Sequence, residues 1–158
     1  MICVTDANIW IDLHNADLLD AAFELEHTWR TPDMIVDDEI LTVRRDLLVE
    51  LGLDVRTLSS DELNRIPPLN RRHPRPSPTD LAILVVANAD DGIVVTGDGP
   101  LRSAANEEGL TVHGVLWVLD QLVERDVVPP DRAAAAMNAM IERGSHLPER
   151  PVQNRLRR

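Results

Sequence analysis

Short apolar runs alternate with helix-length periodic segments along most of this chain, and that alternation limits its fold more than any other feature. Ile2-Cys3-Val4, Trp29-Arg30-Thr31, Asp54 to Leu58, Ile93-Val94-Val95-Thr96 and Leu110 to His113 read as strands, the second stopped by Pro32 and the third the weakest. Asn8 to Glu26 reads as helix, broken near Asn15. From Asp33 to Leu51, the residues Val36, Ile40, Val43, Leu47 and Leu51 step by three or four, which predicts one amphipathic helix ended by Gly52. Ser60-Asp61-Glu62 opens a short helix. Ile66 to Pro78 holds Pro67, Pro68, Pro74, Pro76 and Pro78 and reads as a flexible loop. Ser77-Pro78-Thr79-Asp80 then has the grammar of a helix start, with Ser at the N-cap, Pro at N1 and an acid at N3. That helix runs to Ala89, and Gly92 breaks it. Pro100 to Glu108, Val115 to Arg125 and Asp131 to Arg143 read as the closing helices. Strands that alternate with helices predict an α/β three-layer sandwich, its central parallel sheet of four to five strands flanked by helices.

What the sequence lacks narrows its chemistry. All 16 basic residues are arginine, so lysine-dependent phosphate loops, Schiff bases and lysine-assisted hydrolases are excluded. Tyrosine is absent, and the one cysteine, Cys3, lies in an apolar strand where it packs as a small hydrophobe. The five histidines show no metal-ligand spacing. What remains in surplus is carboxylate, 27 acids giving a net charge of -11.

The placement of four of these acids matters. Parallel α/β sheets bind ligands beyond the carboxyl ends of their strands. Asp6 closes the first strand at that end, and Asp98 lies just past the strongest one. Asp80 stands in the first turn of the helix leading into that strand, and Glu39 falls on the apolar flank of its helix. Three have a plain structural reading: Asp98 as a turn former, Asp80 as a complement to the helix dipole and Glu39 as a solvated acid; Asp6, after an apolar strand and before Ala7-Asn8, is harder to dismiss. Together they read differently. Two carboxylates about 4 Å apart repel by roughly 4 kcal/mol at an effective dielectric of 20, and a gathered set protonates unless a cation is present. Mg²⁺ or Mn²⁺ prefers such oxygen ligands and supports phosphodiester cleavage without lysine, cysteine, tyrosine or histidine.

Four ordered motifs carry a family resemblance: Thr5-Asp6-Ala7-Asn8, Ile35-Val36-Asp37-Asp38-Glu39-Ile40, Thr79-Asp80-Leu81-Ala82-Ile83-Leu84 and Val94-Val95-Thr96-Gly97-Asp98-Gly99-Pro100-Leu101. In that order the chain resembles a PIN domain. The resemblance implies a metal-dependent endoribonuclease of the kind found as VapC-type toxins of toxin–antitoxin pairs. Asp6, Glu39, Asp80 and Asp98 would form the acidic cluster holding one or two Mg²⁺ or Mn²⁺ ions, with Asn8 and Thr96 orienting ligands and water. Pro100 stands where many PIN domains carry a further acid, which implies one tightly held ion and a second that arrives with substrate. Residues 1–125 would be the PIN-like nuclease domain, and 126–158 a C-terminal helical extension and basic tail of the same domain.

Substrate and partners follow from charge. Arg71, Arg72 and Arg75 are candidates for RNA phosphate contacts, as are Arg143, Arg150, Arg155, Arg157 and Arg158 in the tail; the plain alternative is a solvated loop and a solubilising tail. His73 reads as exposed. Trp10, Trp29 and Trp117 read as core or homodimer-interface residues, and Leu18, Leu19 and Phe23 as core with a possible part in a groove for a partner helix. The toxin resemblance implies a small basic antitoxin over the site. With no signal-like start and no membrane-length apolar run, a cytoplasmic protein that does not engage membranes is expected. The competing reading is a catalytically weak PIN-like module that binds metal or a partner without turnover.

Overall fold

Ile2–Thr5 (β1) buries Cys3, Val4 and Thr5, the all-buried pattern of a strand covered on both faces. It lies at the centre of the sheet. The computed structural model describes residues 1–38 and 45–142. Within them Thr28–Pro32 (β2), Asp54–Arg56 (β3), Ile93–Val95 (β4) and Val112–His113 (β5) join β1 in the order β3-β2-β1-β4-β5, every pair parallel. Cys3 stands opposite both Trp29 and Ile93, and Thr5 opposite Val95.

Helices cover both faces. Ala7–Asn15 (α1), Leu19–Phe23 (α2), Val115–Glu124 (α9) and Pro130–Glu142 (α10) close one core around Trp10, Leu13, Leu18 and Trp29. Asp17, with φ 57°, turns the chain between α1 and α2. Ala133, Ala136, Met137 and Met140 carry α10 into this core. Trp10 and Trp29 are buried, packed edge to face at 5.6 Å, and Phe23 stacks on Trp10 at 5.3 Å.

The opposite core gathers on Pro78–Ala89 (α7), where every residue from Leu81 to Ala87 is buried. Gly99–Glu107 (α8) packs beside it through Leu101, Ala104 and Ala105. Ser77 caps α7, its Oγ accepting from the Asp80 N–H at 3.1 Å, as the sequence grammar requires.

Two local expectations change, and a third changes at one residue. Ile66–Arg72 (α6) is a helix rather than a loop: Pro67 and Pro68 occupy its first turn, where a missing N–H costs nothing, and Ile66 and Leu69 are buried. His73 is buried, not exposed, because its ring lies between Glu107 and Glu108, at 3.2 Å and 2.9 Å. The segment expected as one helix from Asp33 to Leu51 contains Asp33–Asp38 (α3) and Arg45–Leu51 (α4). In α4 it is Leu48 that is fully buried while Leu47 is 39% exposed, so docking onto the core overrides the periodicity. Ile40, Val43 and Glu39 lie outside the described residues, as do Arg143 and the tail. Ser60–Leu63 (α5) carries a reciprocal cap between Ser59 and Glu62. No helix among the described residues is long and apolar enough to cross a membrane.

Candidate active site

The strand order reverses direction at β1: the chain proceeds to β2 and β3 on one side, then returns to β4 on the other. A crevice opens at such a switch, beyond the carboxyl ends of β1 and β4. Asp6 follows β1 there, and Thr96, Gly97 and Asp98 follow β4.

Each acid is placed by a helix start. Asp6 is the N-cap of α1, its Oδ1 accepting from the Ile9 N–H at 3.2 Å. Its Oδ2 accepts from the Thr96 hydroxyl. The Thr96 oxygen in turn accepts from the Asp98 N–H at 3.1 Å, and the Asp98 carboxylate caps α8 by accepting from the Leu101 N–H at 3.0 Å. Asp80 occupies the first turn of α7. Thr96 is therefore the rivet between the two strand ends, and it is fully buried.

These carboxyls feel one another. Burial pushes Asp6 up to about 7, with the charges of Asp80 and Asp98 acting the same way against the hydrogen bonds from Thr96 and Ile9. Burial also raises Asp80, helped by the charge of Asp98 and opposed by hydrogen bonds from Ser77. No positive group stands among the causes of either shift.

A site made of uncompensated carboxylate oxygens has the donor chemistry of a hard divalent cation. Among the described residues, no three His, Cys, Asp or Glu side chains form a group that would hold an ion by themselves. The fourth acid, Glu39, lies outside the described residues.

The other expected residues fall in different places. Asn8 is exposed in the first turn of α1. Arg71 and Arg72 end α6, and Arg72 pairs with Glu108 at 3.0 Å, beyond the last residue of α8. Asp98 caps the other end of that nine-residue helix, so Arg72 is held roughly 14 Å along it, away from the acids. Arg75 is exposed in the connection to α7. Two residues outside the sequence reading shape the site. Thr31 lies with its hydroxyl 2.7 Å from that of Thr5 and accepts from the Trp10 indole at 3.3 Å, fixing the end of β1 to α1. Arg102 donates to the Thr96 carbonyl at 2.9 Å; its position one turn after Asp98 was the available signal.

Comparison with known proteins agrees with this architecture. No curated protein matches the chain. Among solved structures it is similar to a PilT N-terminus domain protein from the hyperthermophilic archaeon Sulfolobus solfataricus P2, with a TM-score of 0.54 and 14% identity, covering 78% of this chain and 95% of that one. That likeness is one of fold. The PIN domain family model matches residues 2–158, and the chain belongs to the PIN domain family.

Proposed function

We propose that this protein is a divalent-metal-dependent endoribonuclease. The observation that supports the reading is that Asp80 and Asp98 act on the buried Asp6 carboxyl, and Asp98 on Asp80, with no positive group among the causes of either shift. Asp6, Asp80 and Asp98, with Glu39, would hold Mg²⁺ or Mn²⁺. When bound, the ion neutralises the carboxylates, polarises a phosphate oxygen and lowers the pKa of water. The chain's own part is orientation. Thr96 holds one oxygen of Asp6 and the Ile9 N–H holds the other, which fixes the carboxylate plane. The caps of α1 and α8 fix where Asp6 and Asp98 point. Asn8, exposed beside Asp6, would orient water or substrate.

The net charge of -11 supports a basic protein partner, so the toxin of a toxin–antitoxin pair is the biological form we favour. Co-purification with a small basic protein would test that form. The enzyme itself is tested by incubating the purified protein with mixed RNA in Mn²⁺, Mg²⁺ or EDTA, beside Asp6→Asn and Asp98→Asn. Metal-dependent cutting lost in both folded variants is the expected result. No cutting by partner-free protein that binds Mn²⁺ would replace the enzyme with a binding module.

A further inference from the structure

With Arg72 committed to Glu108, a different arginine sits at the carboxyl end of β4, the strand that Asp98 follows. Arg102 lies in the second turn of α8. Thr96 N–H donates to the His113 carbonyl at 2.8 Å, so this edge of β4 faces β5. The chain turns away at Gly114, the N-cap of α9, and the Arg102 Nη1 takes the Thr96 carbonyl instead. Gly114 makes the room, since a Cβ there would stand 3.1 Å from that nitrogen. The guanidinium is thereby seated at the carboxyl end of β4. Thr96 bonds it through its carbonyl and Asp6 through its hydroxyl.

Arg102 binds a backbone carbonyl, whereas Arg30 and Arg56 each pair with two carboxylates and Arg72 with one. A guanidinium has five N–H donors in a fixed fork, and a single contact to a carbonyl leaves most of that fork for a ligand. A cation seated on a backbone carbonyl one helical turn after Asp98 points to an anion from outside.

The strip next to it supports the same ligand. Gly97 and Gly99 flank Asp98, both exposed, and neither has a positive φ. A Cβ on either would meet nothing within 4 Å. Neither backbone conformation nor packing within the chain calls for glycine here. Close approach of a ligand to the main chain does.

We infer that Arg102, with the open strip from Gly97 to Gly99, is a phosphate-binding subsite that grips the RNA backbone beside the phosphate presented to the acids. The inference rests on the ribonuclease reading, and its test is independent of cleavage. A labelled single-stranded RNA oligonucleotide is titrated with the full-length protein in EDTA across a range of salt. Arg102→Ala and Arg102→Gln should both weaken binding roughly tenfold and lower the salt slope by about 0.7. Gln removes the charge but is too short to hold the Thr96 carbonyl as the guanidinium does, so the melting temperature and Mn²⁺ affinity of Arg102→Gln are measured beside its RNA binding to separate loss of the fork from loss of fold. Gly99→Ala should also melt normally, because its methyl enters open space, yet bind RNA more weakly. If Arg102→Ala fails to fold, the Gln and Gly99 variants decide the matter. Unchanged affinity and slope in Arg102→Gln overturn the subsite, and so does a wild type that does not bind RNA in EDTA. A wild type that binds through Arg102 but never cuts with Mn²⁺ overturns the enzyme and leaves the subsite standing.

Discussion

Helix α7 has an aspartate near each end, and the two meet opposite surroundings. Asp90, the C-cap, lies within 3.0 Å of the Arg30 Nη1, 3.2 Å of the Arg56 Nε and 3.1 Å of the Arg56 Nη2. Arg56 also forks onto Glu62 at 2.8 Å and 2.7 Å, and those bonds hold the Glu62 carboxyl down at about 2. Asp80, in the first turn, shares its end with Asp6 and Asp98, and both Asp6 and Asp80 are pushed upward. One end of the helix is neutralised by the chain itself, and the other is not. Ionic groups that serve only folding are paired where they are buried, whereas a cluster left unpaired imposes a cost that a ligand can relieve.

The largest expected effect tests this contrast through pH. In metal-free protein, Asp6 has a folded value of about 7 against an ordinary 3.8. Its contribution to stability is full below the ordinary value, because both folded and unfolded forms then hold the proton. Between the two values only the folded form holds it, so rising pH erodes stability, and above about 7 the loss is complete, on the order of 4 kcal/mol. Urea unfolding of wild type and Asp6→Asn from pH 4 to 8 should show this slope in the wild type and a flatter one in the variant. Equal slopes would mean that Asp6 is not held in a desolvated, uncompensated site.

The paired end should behave oppositely. Arg56→Ala strands Glu62 and Asp90 and should cost about 3 kcal/mol in urea unfolding. Because the Glu62 value is lowered, its stabilisation is present above the ordinary 4.5 and lost as pH falls towards 2; Arg56→Ala should remove that acid-side loss as well. A neutral Arg56→Ala would erase the difference between the two ends.

A smaller effect sharpens the account of α7. Ser77→Ala removes the N-cap hydroxyl and should cost about 1 kcal/mol. It also removes hydrogen bonding that opposes the rise of Asp80. A fluorescence-monitored melt that shows no shift would place the start of α7 under other control.

The positions of Asp80 and Asp98 were readable because the sequence marks helix starts. Ser77-Pro78 before Asp80, and Asp98 before Gly99-Pro100, fix where these two acids must stand relative to β4. Asp6 is marked by the end of an apolar strand. The same residue types misled at α6, where Pro67 and Pro68 read as loop punctuation but fill a helical first turn. Pairing across the chain leaves no local signal. His73 with Glu108, Arg72 with Glu108 and Thr5 with Thr31 are 35, 36 and 26 residues apart. The choice of Leu48 over Leu47 for the core was equally hidden, since it is decided by how α4 docks.

Calorimetric titration with Mn²⁺ near the Asp6 value of about 7, repeated in buffers of different protonation enthalpy, tests the central claim most directly. The wild type should bind the ion and release protons as Asp6 ionises, with binding lost or strongly weakened in folded Asp6→Asn. Absence of binding in the wild type, or equal binding and proton release in Asp6→Asn, would contradict a metal site built on these acids.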